Sequence, residues 1–513
     1  MNSSHASAPS LDRWLAAGLL SALIAILAST ALAAFGVPSM FAIALGALGA
    51  VCGSVLLAKR LPPGIDALRR KRPLLAFFWL LLAVAALGRT VGIAWFMLDP
   101  QAQQASAFGF DQFYTRHSCM SGYWHAAELA DKSIENVYLG EHYAGFYGIF
   151  KIDEYLYLPQ FLILPMLGVA AGLDFDQMRG VWFALQGLIV LLCAIGVAKW
   201  IGGPAGRRAA LLIPAIWVAT PTALTLQLGN FQLSAIALSL MAFVLFWRNK
   251  PILGGAMFGF AVFKLFPGLL GIYLILTKRW RALFWTLGFS AIYTVIAFLW
   301  LGENPFRALF EFHLPRLASG EAWAFLEIPQ LAPVVAINDS VPGLVLKLKA
   351  LGVPGMDMAL SRHVGWVWTL FIVALTALAA RRAPRMSRHE LAMTWTALLA
   401  LAAFRSPFLP DHTGLFAPLW LWSLVAAGSA FTGGRVFKMA LLWLAFAAVV
   451  PFMGTPLDNG LDRFVVSGIS QIVAIALCLW AVLRKPTGIE SEDARPANAA
   501  AQALPREAEA QAA

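Results

Sequence analysis

The stretch that decides the fold runs from residue 251 to residue 276 and reads PILGGAMFGFAVFKLFPGLLGIYLIL. Its side chains are almost all apolar except for Lys264, and Pro267 follows shortly after that lysine. A proline interrupts a helix because it lacks an amide donor and clashes with the preceding turn. An ionisable side chain in an apolar helix is costly and therefore indicates a functional site. The stretch predicts two short membrane helices, or one re-entrant hairpin, with a cation beside the break.

The composition extends this interpretation to the whole chain of 513 residues. Hydrophobic residues make up 60% and charged residues only 13%, and long apolar runs recur along the sequence, which excludes an ordinary soluble domain. We predict an all-α, polytopic transmembrane bundle of about 13–14 helices. They are predicted near residues 13–35, 38–58, 73–97, 178–200, 208–225, 232–247, 251–266, 267–277, 282–301, 363–380, 389–404, 412–430, 436–452 and 464–483.

The net charge of +11 lies mostly in short loops between apolar runs. Short loops rich in Lys and Arg stay in the cytoplasm, so this charge sets orientation and does not indicate a nucleic-acid partner. The pattern predicts cytoplasmic termini and places the long loops 99–154 and 302–362 on the outer face. The segment 155–172 contains two prolines and is predicted to lie along the outer interface.

Three regions are predicted along the chain. Residues 1–72 form a transmembrane hairpin with a basic cytoplasmic loop, and residues 73–484 form the main membrane domain. Residues 485–513 are polar and rich in Ala and Glu, so we expect a disordered cytoplasmic tail. The Ala-rich composition favours a bacterial inner membrane, with the outer face periplasmic.

The first long outer loop carries a candidate general base at Asp111, which Phe110 and Phe113 flank. A carboxylate held among aromatic side chains at a membrane surface is partly desolvated and can accept a proton from a substrate. A helix N-cap would explain the same aspartate equally well. The loop also contains three histidines, but their spacings of eight and seventeen residues match no zinc pattern, so we predict no metal site.

Polar side chains in two other outer loops are candidate sugar-binding groups. In the turn QLGNFQ, Asn230 and Gln232 offer amide donors and acceptors, although Asn230 would also serve as a helix cap. The loop 302–362 contributes Asn338 and Ser340, for which spacing alone is weak evidence.

The segment FRSPFLPDHT places Arg405, Asp411 and His412 in an outer loop between apolar helices. Arg405 can bind a phosphate through two parallel hydrogen bonds. Asp411 can orient His412 and make it more basic, so that His412 is a second candidate base. A proline-rich turn with an exposed arginine and an N-capping aspartate is the alternative explanation of these residues.

Five landmarks follow one another along the sequence. They are Asp111 with the segment AELADKSIENVYL, the stretch YLYLPQFLILP, the turn QLGNFQLSAI, the hairpin GGAMFGFAVFKLFPGLL, and NDSVPGLVLKL followed by RSPFLPDHTGLF. In this order they resemble the membrane glycosyltransferases of the GT-C superfold, in particular glycosyltransferase family 87, also described as DUF2029. The resemblance covers roughly residues 73–483, and two additional helices precede that region.

The resemblance implies a mannose-like sugar donor linked to polyprenyl phosphate and a lipid or glycan acceptor within a membrane. It also implies inversion at the anomeric carbon without a metal or another cofactor, and it places the acidic residue at Asp111. The residues themselves agree with such a reaction. A hydroxyl acceptor needs a base, for which Asp111 and His412 are available, and a departing phosphate needs cations, here Lys264 and Arg405.

Two other classes of protein compete with this interpretation. A lipid or polysaccharide transporter places polar groups along a path through the midplane and often contains inverted repeats. We find no repeat, and the polar groups outside residues 251–276 cluster on one predicted face. An assembly protein without catalysis does not explain the combination of Lys264, Arg405, Asp411 and His412. Convergence of Lys264, Arg405 and His412 with Asp111 would favour the transferase.

Overall fold

A computed structural model describes residues 11–61, 72–429, 434–448 and 461–488, and these residues are mainly helical. The α-helices are α1 (Leu11–Ala34), α2 (Ser39–Arg60), α3 (Pro73–Leu98), α4 (Gln112–Arg116), α5 (Cys119–Asp131), α6 (Ile163–Ala170), α7 (Phe175–Ile201), α8 (Gly203–Leu211), α9 (Ile213–Trp217), α10 (Thr220–Leu228), α11 (Gln232–Trp247), α12 (Pro251–Ala261), α13 (Gly271–Leu276), α14 (Trp280–Leu301), α15 (Asn304–Ala308), α16 (Leu314–Ser319), α17 (Ala332–Ala336), α18 (Val341–Ala350), α19 (Met358–Arg382), α20 (Arg388–Ala403), α21 (Asp411–Gly414), α22 (Phe416–Gly428), α23 (Gly434–Ala447) and α24 (Leu461–Leu483).

Shorter helical turns connect these elements. The 3-10 turns are Gln103–Ala105, Gly140–Tyr143, Pro159–Leu162, Val262–Lys264, Phe266–Leu270, Glu321–Glu327, Pro329–Leu331 and Ala383–Arg385, and Leu309–His313 forms one π-helical turn. The predicted all-α polytopic class is confirmed.

Helix length separates full crossings from shorter pieces. Among the described residues, seven helices are long and apolar enough to span a bilayer. The segments Gly203–Trp217 and Thr220–Leu228 would form an eighth span if their 62° bend is tolerated within one crossing. The described parts of the other predicted membrane helices are also helical, and these parts are shorter than a bilayer needs. The protein is therefore a multi-pass helical membrane protein built from both long and broken helices.

Local sequence explains where the central helix α7 begins and ends. Asp174 accepts a hydrogen bond from the backbone of Gln177, whose side chain in turn accepts from the backbone of Asp174, which forms a capping box. The helix stops at Gly202, whose φ of +66° is a conformation that glycine adopts without strain. In the membrane-spanning window of α7, 61% of residues are buried, against 11% in α2. Helix α7 thus lies inside the bundle, whereas α2 presents most of its apolar surface outward.

The stretch 251–276 breaks beside Lys264, as predicted, but its two α-helices are shorter than the predicted segments 251–266 and 267–277. Helix α12 ends at Ala261, two 3-10 turns follow, and α13 resumes at Gly271. Helix α12 packs between α11 and α14, and close packing explains its glycines, because a Cβ on Gly255 would lie 2.6 Å from Trp285. The break therefore projects from a firmly packed helix.

The first long loop is compact and contains a small sheet in the order β1-β3-β2. Strand β1 (His117–Ser118) runs parallel to β3 (Phe150–Ile152), with His117 opposite Lys151, and β2 (Phe146–Tyr147) pairs antiparallel to β3. The sequence analysis did not predict this sheet. It joins the two residues between α4 and α5 to β3, which positions the end of the segment 111–119.

Several predictions fall wholly or partly outside the described residues. These are the basic loop after residue 61, the end of the predicted helix 436–452, most of the outer loop 454–462 and nearly all of the tail 485–513. The three-region division and the position of segment 155–172 at an interface stay predictions. That segment forms a 3-10 turn followed by α6.

Candidate functional site

Lys264 ends the first 3-10 turn after α12 and is partly buried. Its Nζ donates to the hydroxyl of Tyr157 and, at 3.2 Å, to Oδ1 of Asn230, and it lies 3.9 Å from the centroid of the Tyr157 ring. Within the described parts of the chain, no carboxylate forms an ion pair with this lysine. Its partners are therefore a phenol and an amide, neither of which carries a negative charge at neutral pH.

The hydroxyl of Tyr157 does not supply that charge. Burial raises the pKa of Tyr157 above its ordinary value, so the phenol stays protonated. Tyr123 donates to the Tyr157 hydroxyl at 3.0 Å, and the two rings meet edge to face. Tyr138 donates to the Tyr157 carbonyl at 2.9 Å. Tyr157, Tyr123 and Tyr138 thus form an aromatic wall that contacts Lys264 and supplies no negative charge to it.

The backbone beside Lys264 is strained. Leu265 has φ +68° and ψ −58°, a region that a side chain with a Cβ rarely occupies. Such residues persist only where the surrounding structure holds them, and they concentrate at functional sites. Leu265 closes the turn through a backbone hydrogen bond to Val262 at 2.8 Å, so the direction of the Lys264 side chain is set by a constrained turn.

Asn230 connects Lys264 to the first loop. Its Nδ2 donates to Cys119 Sγ at 3.5 Å, and its Oδ1 also accepts from the backbone of Gln232 at 3.0 Å. The capping role anticipated for Asn230 is therefore present beside its contact with Lys264. Gly229 makes the turn possible, because its φ is +74° and a Cβ there would lie 3.0 Å from Met120. Gln232 is buried, and no described residue is a hydrogen-bond partner of its Nε2.

Asp111 lies at the start of the segment 111–119, which ends at Cys119, and it is fully buried. Its side chain accepts a hydrogen bond from the backbone of Phe113 at 3.0 Å, so Asp111 is the N-cap of α4, which was the alternative interpretation of this residue from the sequence. Tyr114, on the first turn of α4, meets the ring of His412 edge to face at 5.9 Å. Burial, then Asp411 and then Asp111 raise the pKa of Tyr114, which places both carboxylates near its hydroxyl.

His412 is buried on the short helix α21. Its Nδ1 lies 3.5 Å from Oδ1 of Asp411, but that oxygen accepts its hydrogen bond from the His412 backbone at 2.6 Å. Among the described residues, Nδ1 has no hydrogen-bond partner. Burial lowers the pKa of His412, and Asp411 opposes this effect. The contact between Asp411 and the imidazole is thus electrostatic, and the ring is neutral at neutral pH.

Asn338 and Ser340 tie two loops together. Both side chains donate to the carbonyl of Pro407 at 3.0 Å, and Asn338 Oδ1 accepts from the backbone of Leu409 at 2.9 Å. Ser340 also caps α18 through the backbone of Gly343. These bonds position the turn that carries Asp411 and His412. The sugar-binding role of Asn338 and Ser340 stays a prediction.

Arg405 points away from Asp411 and His412 and toward α19. Its Nε donates to Thr369 at 3.1 Å, and its guanidinium lies 5.6 Å from the ring of Trp366, both on α19. Trp366 is 64% exposed on the outside of the bundle. The structure therefore brings Asp111, Lys264 and His412 to one segment, residues 111–119, but none of the described contacts joins Arg405 to it.

The same segment brings together three groups that can bind metals. Ligand atoms of His117, Cys119 and Asp153 lie within 4.8 Å of one another, and His117 Nδ1 is 3.3 Å from Asp153 Oδ1. The ring of His117 faces Asp153 with its Nδ1 but Cys119 with its Nε2, which lies 3.9 Å from the Sγ atom, whereas one metal ion binds a single nitrogen of an imidazole. The Lys264 cation also lies one hydrogen-bonded residue away, at Asn230. We identify no metal ligands here, and the expectation of a metal-free site stays a prediction.

The chain also matches a known protein family. Residues 155–410, about half of the chain, match the model of glycosyltransferase family 87. The chain belongs to glycosyltransferase family 87. The matched region contains Tyr157, Asn230 and Lys264, whereas His412 lies just after its end and Asp111 lies well before its start at residue 155. Neither the curated proteins nor the solved structures include a match.

The structure also brings out residues that the sequence analysis did not select as site residues. Asp339 and Lys347 form a buried ion pair at 3.5 Å, close to the helix that carries His412. The sequence contained an indication of a buried charge here, because Lys347 interrupts the apolar run GLVLKL much as Lys264 interrupts its own run. Tyr157 and Tyr114 carried no signal, since an aromatic side chain in an apolar segment is ordinarily part of the core.

Proposed function

We propose that this family 87 glycosyltransferase transfers a mannose-like sugar from a polyprenyl-phosphate donor to a lipid or glycan acceptor. The reaction is placed on the outer face of a bacterial inner membrane and inverts the anomeric carbon. The observation that carries the proposal is Lys264, whose described partners are neutral and which lies in the segment that matches the family. A phosphate monoanion would offset the desolvation of this lysine.

Asp111 is proposed as the general base. Its carboxylate takes the proton of the acceptor hydroxyl while that oxygen attacks the anomeric carbon from the face opposite the phosphate. The bond between the anomeric carbon and the phosphate oxygen breaks, and its electron pair stays on polyprenyl phosphate. His412 is the alternative base or assists Asp111. Its buried imidazole lies beside Tyr114, which belongs to α4, the helix that Asp111 caps.

Lys264 is proposed to stabilise the leaving phosphate, so that the protein itself supplies the positive charge there. Charge that develops on the phosphate oxygens in the transition state is stabilised by a fixed cation in a site of low dielectric constant. The strained turn at Leu265 and the aromatic wall at Tyr157 keep this cation in place before the donor binds. Asn230 and Gln232 are proposed to bind sugar hydroxyls through their amides.

Transfer is tested with purified protein in liposomes that contain native lipid extract and synthetic polyprenyl phosphate carrying radiolabelled mannose. We expect one equivalent of polyprenyl phosphate to be released for each labelled sugar that enters a new glycosidic bond. Mass spectrometry of envelope glycans from a deletion strain would name the acceptor. A transporter would instead move the labelled donor across the bilayer without breaking its bond, and that result would replace the proposal.

Orientation is tested separately by thiol labelling from each side of intact cells. Glu141 in the first loop and Arg385 after α19 are both exposed and suit single cysteine substitutions. We expect Glu141→Cys to be labelled from the periplasm and Arg385→Cys only after the inner membrane is opened. Labelling of both positions from the periplasm would contradict the proposed topology.

A further inference from the structure

Gln227 is a buried polar side chain that the proposed reaction does not use. It lies in the last turn of α10 and is 3% exposed. Its Oε1 accepts a hydrogen bond from the backbone amide of Ala107 at 2.6 Å, and its Nε2 donates to the backbone carbonyl of Tyr114 at 2.9 Å. Both ends of this side-chain amide therefore bond the first long loop, across 120 and 113 residues of sequence.

The two bonded backbone groups lie on either side of Asp111. Between them the chain folds back, because the amide of Asp111 donates to the carbonyl of Phe108 at 3.0 Å. The rings of Phe108 and Tyr114 stack at 5.5 Å, and Tyr114 packs with two leucines of α10 in one apolar cluster. Gln227 thus fastens the turn 107–114, which carries the proposed base, to the end of α10.

Arg89 of α3 holds the same turn at a second point. Its guanidinium donates to the carbonyl of Ala107 at 3.2 Å and to that of Val218, just before α10 begins, at 2.6 Å. Ala107 is therefore bonded through its amide to the end of α10 and through its carbonyl to a side chain that also bonds the chain before α10. The turn that carries Asp111 rests on a fixed backbone frame.

Helix α10 also borders the other groups of the proposed reaction. Thr225 donates to the backbone carbonyl of His412 at 2.7 Å. The turn that follows α10 carries Asn230, whose Oδ1 accepts from Lys264 at 3.2 Å. One short helix thus contacts the lysine through its following turn and both candidate bases through its side chains.

We propose that Gln227 is a positioning residue that holds the Asp111 carboxylate in place for proton transfer from the acceptor hydroxyl. The catalytic part of this inference rests on the proposed function. A base acts well only when its oxygen lies within hydrogen-bond reach of the proton that it removes, and a displacement of about 1 Å can cost about 100-fold in rate. A side chain that bonds the backbone on both sides of the base limits such a displacement.

The test compares Gln227→Met with wild type in the full-length protein. Methionine has a similar volume but makes neither bond, so deuterium exchange of backbone amides in peptides that cover residues 105–115 should become about tenfold faster or more. The kcat of transfer should fall by about 10-fold to 100-fold. Binding of farnesyl phosphate, a short polyprenyl monophosphate, should stay within about threefold of wild type, because the described partners of Lys264 are Tyr157 and Asn230.

Gln186→Met is the matched control. Gln186 is also buried, but its Oε1 accepts from Ser234 at 3.2 Å and so joins α7 to α11. Its kcat and its exchange at residues 105–115 should stay within about threefold of wild type. Equal losses in the two variants would refute a specific role for Gln227. Gln227→Asn, whose shorter side chain cannot reach both backbone groups, replaces Gln227→Met if that variant does not fold.

A double-mutant cycle separates positioning from a general loss of structure. Residues that act through one group are not additive, so Gln227→Met should change kcat by less than about threefold in an Asp111→Asn background. A purely structural role would lower kcat by the same factor in both backgrounds, and that result, or unchanged exchange at residues 105–115, would overturn the proposal. If the wild type transfers no sugar, the proposed function fails, whereas the exchange data still decide whether Gln227 fixes the turn.

Discussion

Two lysines in this protein, Lys347, which is buried, and Lys264, which is partly buried, have opposite surroundings. Lys347 has a carboxylate at 3.5 Å, together with Ser467 and Gln471. Lys264 has a tyrosine hydroxyl, an amide oxygen and an aromatic face, and no described carboxylate pairs with it. Both lysines interrupt apolar runs in the sequence, so the sequence alone does not distinguish them.

The difference shows how to separate a structural charge from a binding charge. A paired buried lysine has its desolvation cost offset within the protein, and the loss of either partner strands the other. A partly buried lysine with neutral partners has no such compensation within the protein, so an anionic ligand can offset its desolvation cost. We therefore assign ligand binding to Lys264 and an internal electrostatic role to Lys347.

The largest effect is expected from Asp111→Asn, which separates chemistry from binding at Lys264. The variant keeps the shape of the N-cap but loses the proton acceptor, so kcat should fall by about 100-fold to 10,000-fold. Binding of farnesyl phosphate, a short polyprenyl monophosphate, should stay within about threefold of wild type, because the lysine is unchanged. Near-normal turnover in Asp111→Asn, with loss in His412→Ala, would move the base to His412.

A smaller effect, a loss of stability, is expected from Gly343→Ala, because Gly343 lies in the same helix as Lys347. An added Cβ would lie 2.3 Å from Asn338 Nδ2 and 2.6 Å from Ser340 Oγ. The side chains of Asn338 and Ser340, which bond the carbonyl of Pro407, must then move, at a cost of about 1–3 kcal/mol. Thermal unfolding in detergent should report the loss. Gly288→Ala is the matched control, since a Cβ there meets nothing within 4 Å, and equal unfolding temperatures for both variants would refute the packing argument.

The smallest effect is expected from Arg405→Met, which concerns a third cation in the outer loops. Arg405 contacts Thr369 and the exposed Trp366, so farnesyl phosphate binding should change by less than about threefold. A loss as large as that caused by removing Lys264 would restore the phosphate-binding role that its sequence context predicts.

The sequence predicted the helical class and the break at Lys264 because both depend on local composition. Apolar runs define membrane helices, and a proline next to a lysine defines an interruption. It also identified Asp111 and His412 as candidates, and the structure places both beside Tyr114. Their catalytic roles stay predictions.

What the sequence did not predict depends on contacts between distant segments. Asp339 and Lys347 meet Ser467 and Gln471 across more than a hundred residues, and no local pattern encodes that pairing. The sheet that fixes His117 beside Asp153 consists of very short strands, which have no recognisable alternation. The direction of Arg405 toward α19 likewise follows from helix packing alone.

The most direct test of the central claim measures binding of farnesyl phosphate to Lys264→Met and to the double variant Lys347→Met/Asp339→Asn, side by side with wild type. We predict that Lys264→Met weakens binding at least about tenfold, since hydrogen bonds to a charged group contribute about 1.5–3 kcal/mol. The double variant removes a cation and an anion together and should bind within about threefold of wild type. Equal binding by Lys264→Met and wild type would show that the lysine holds no phosphate and would contradict the account.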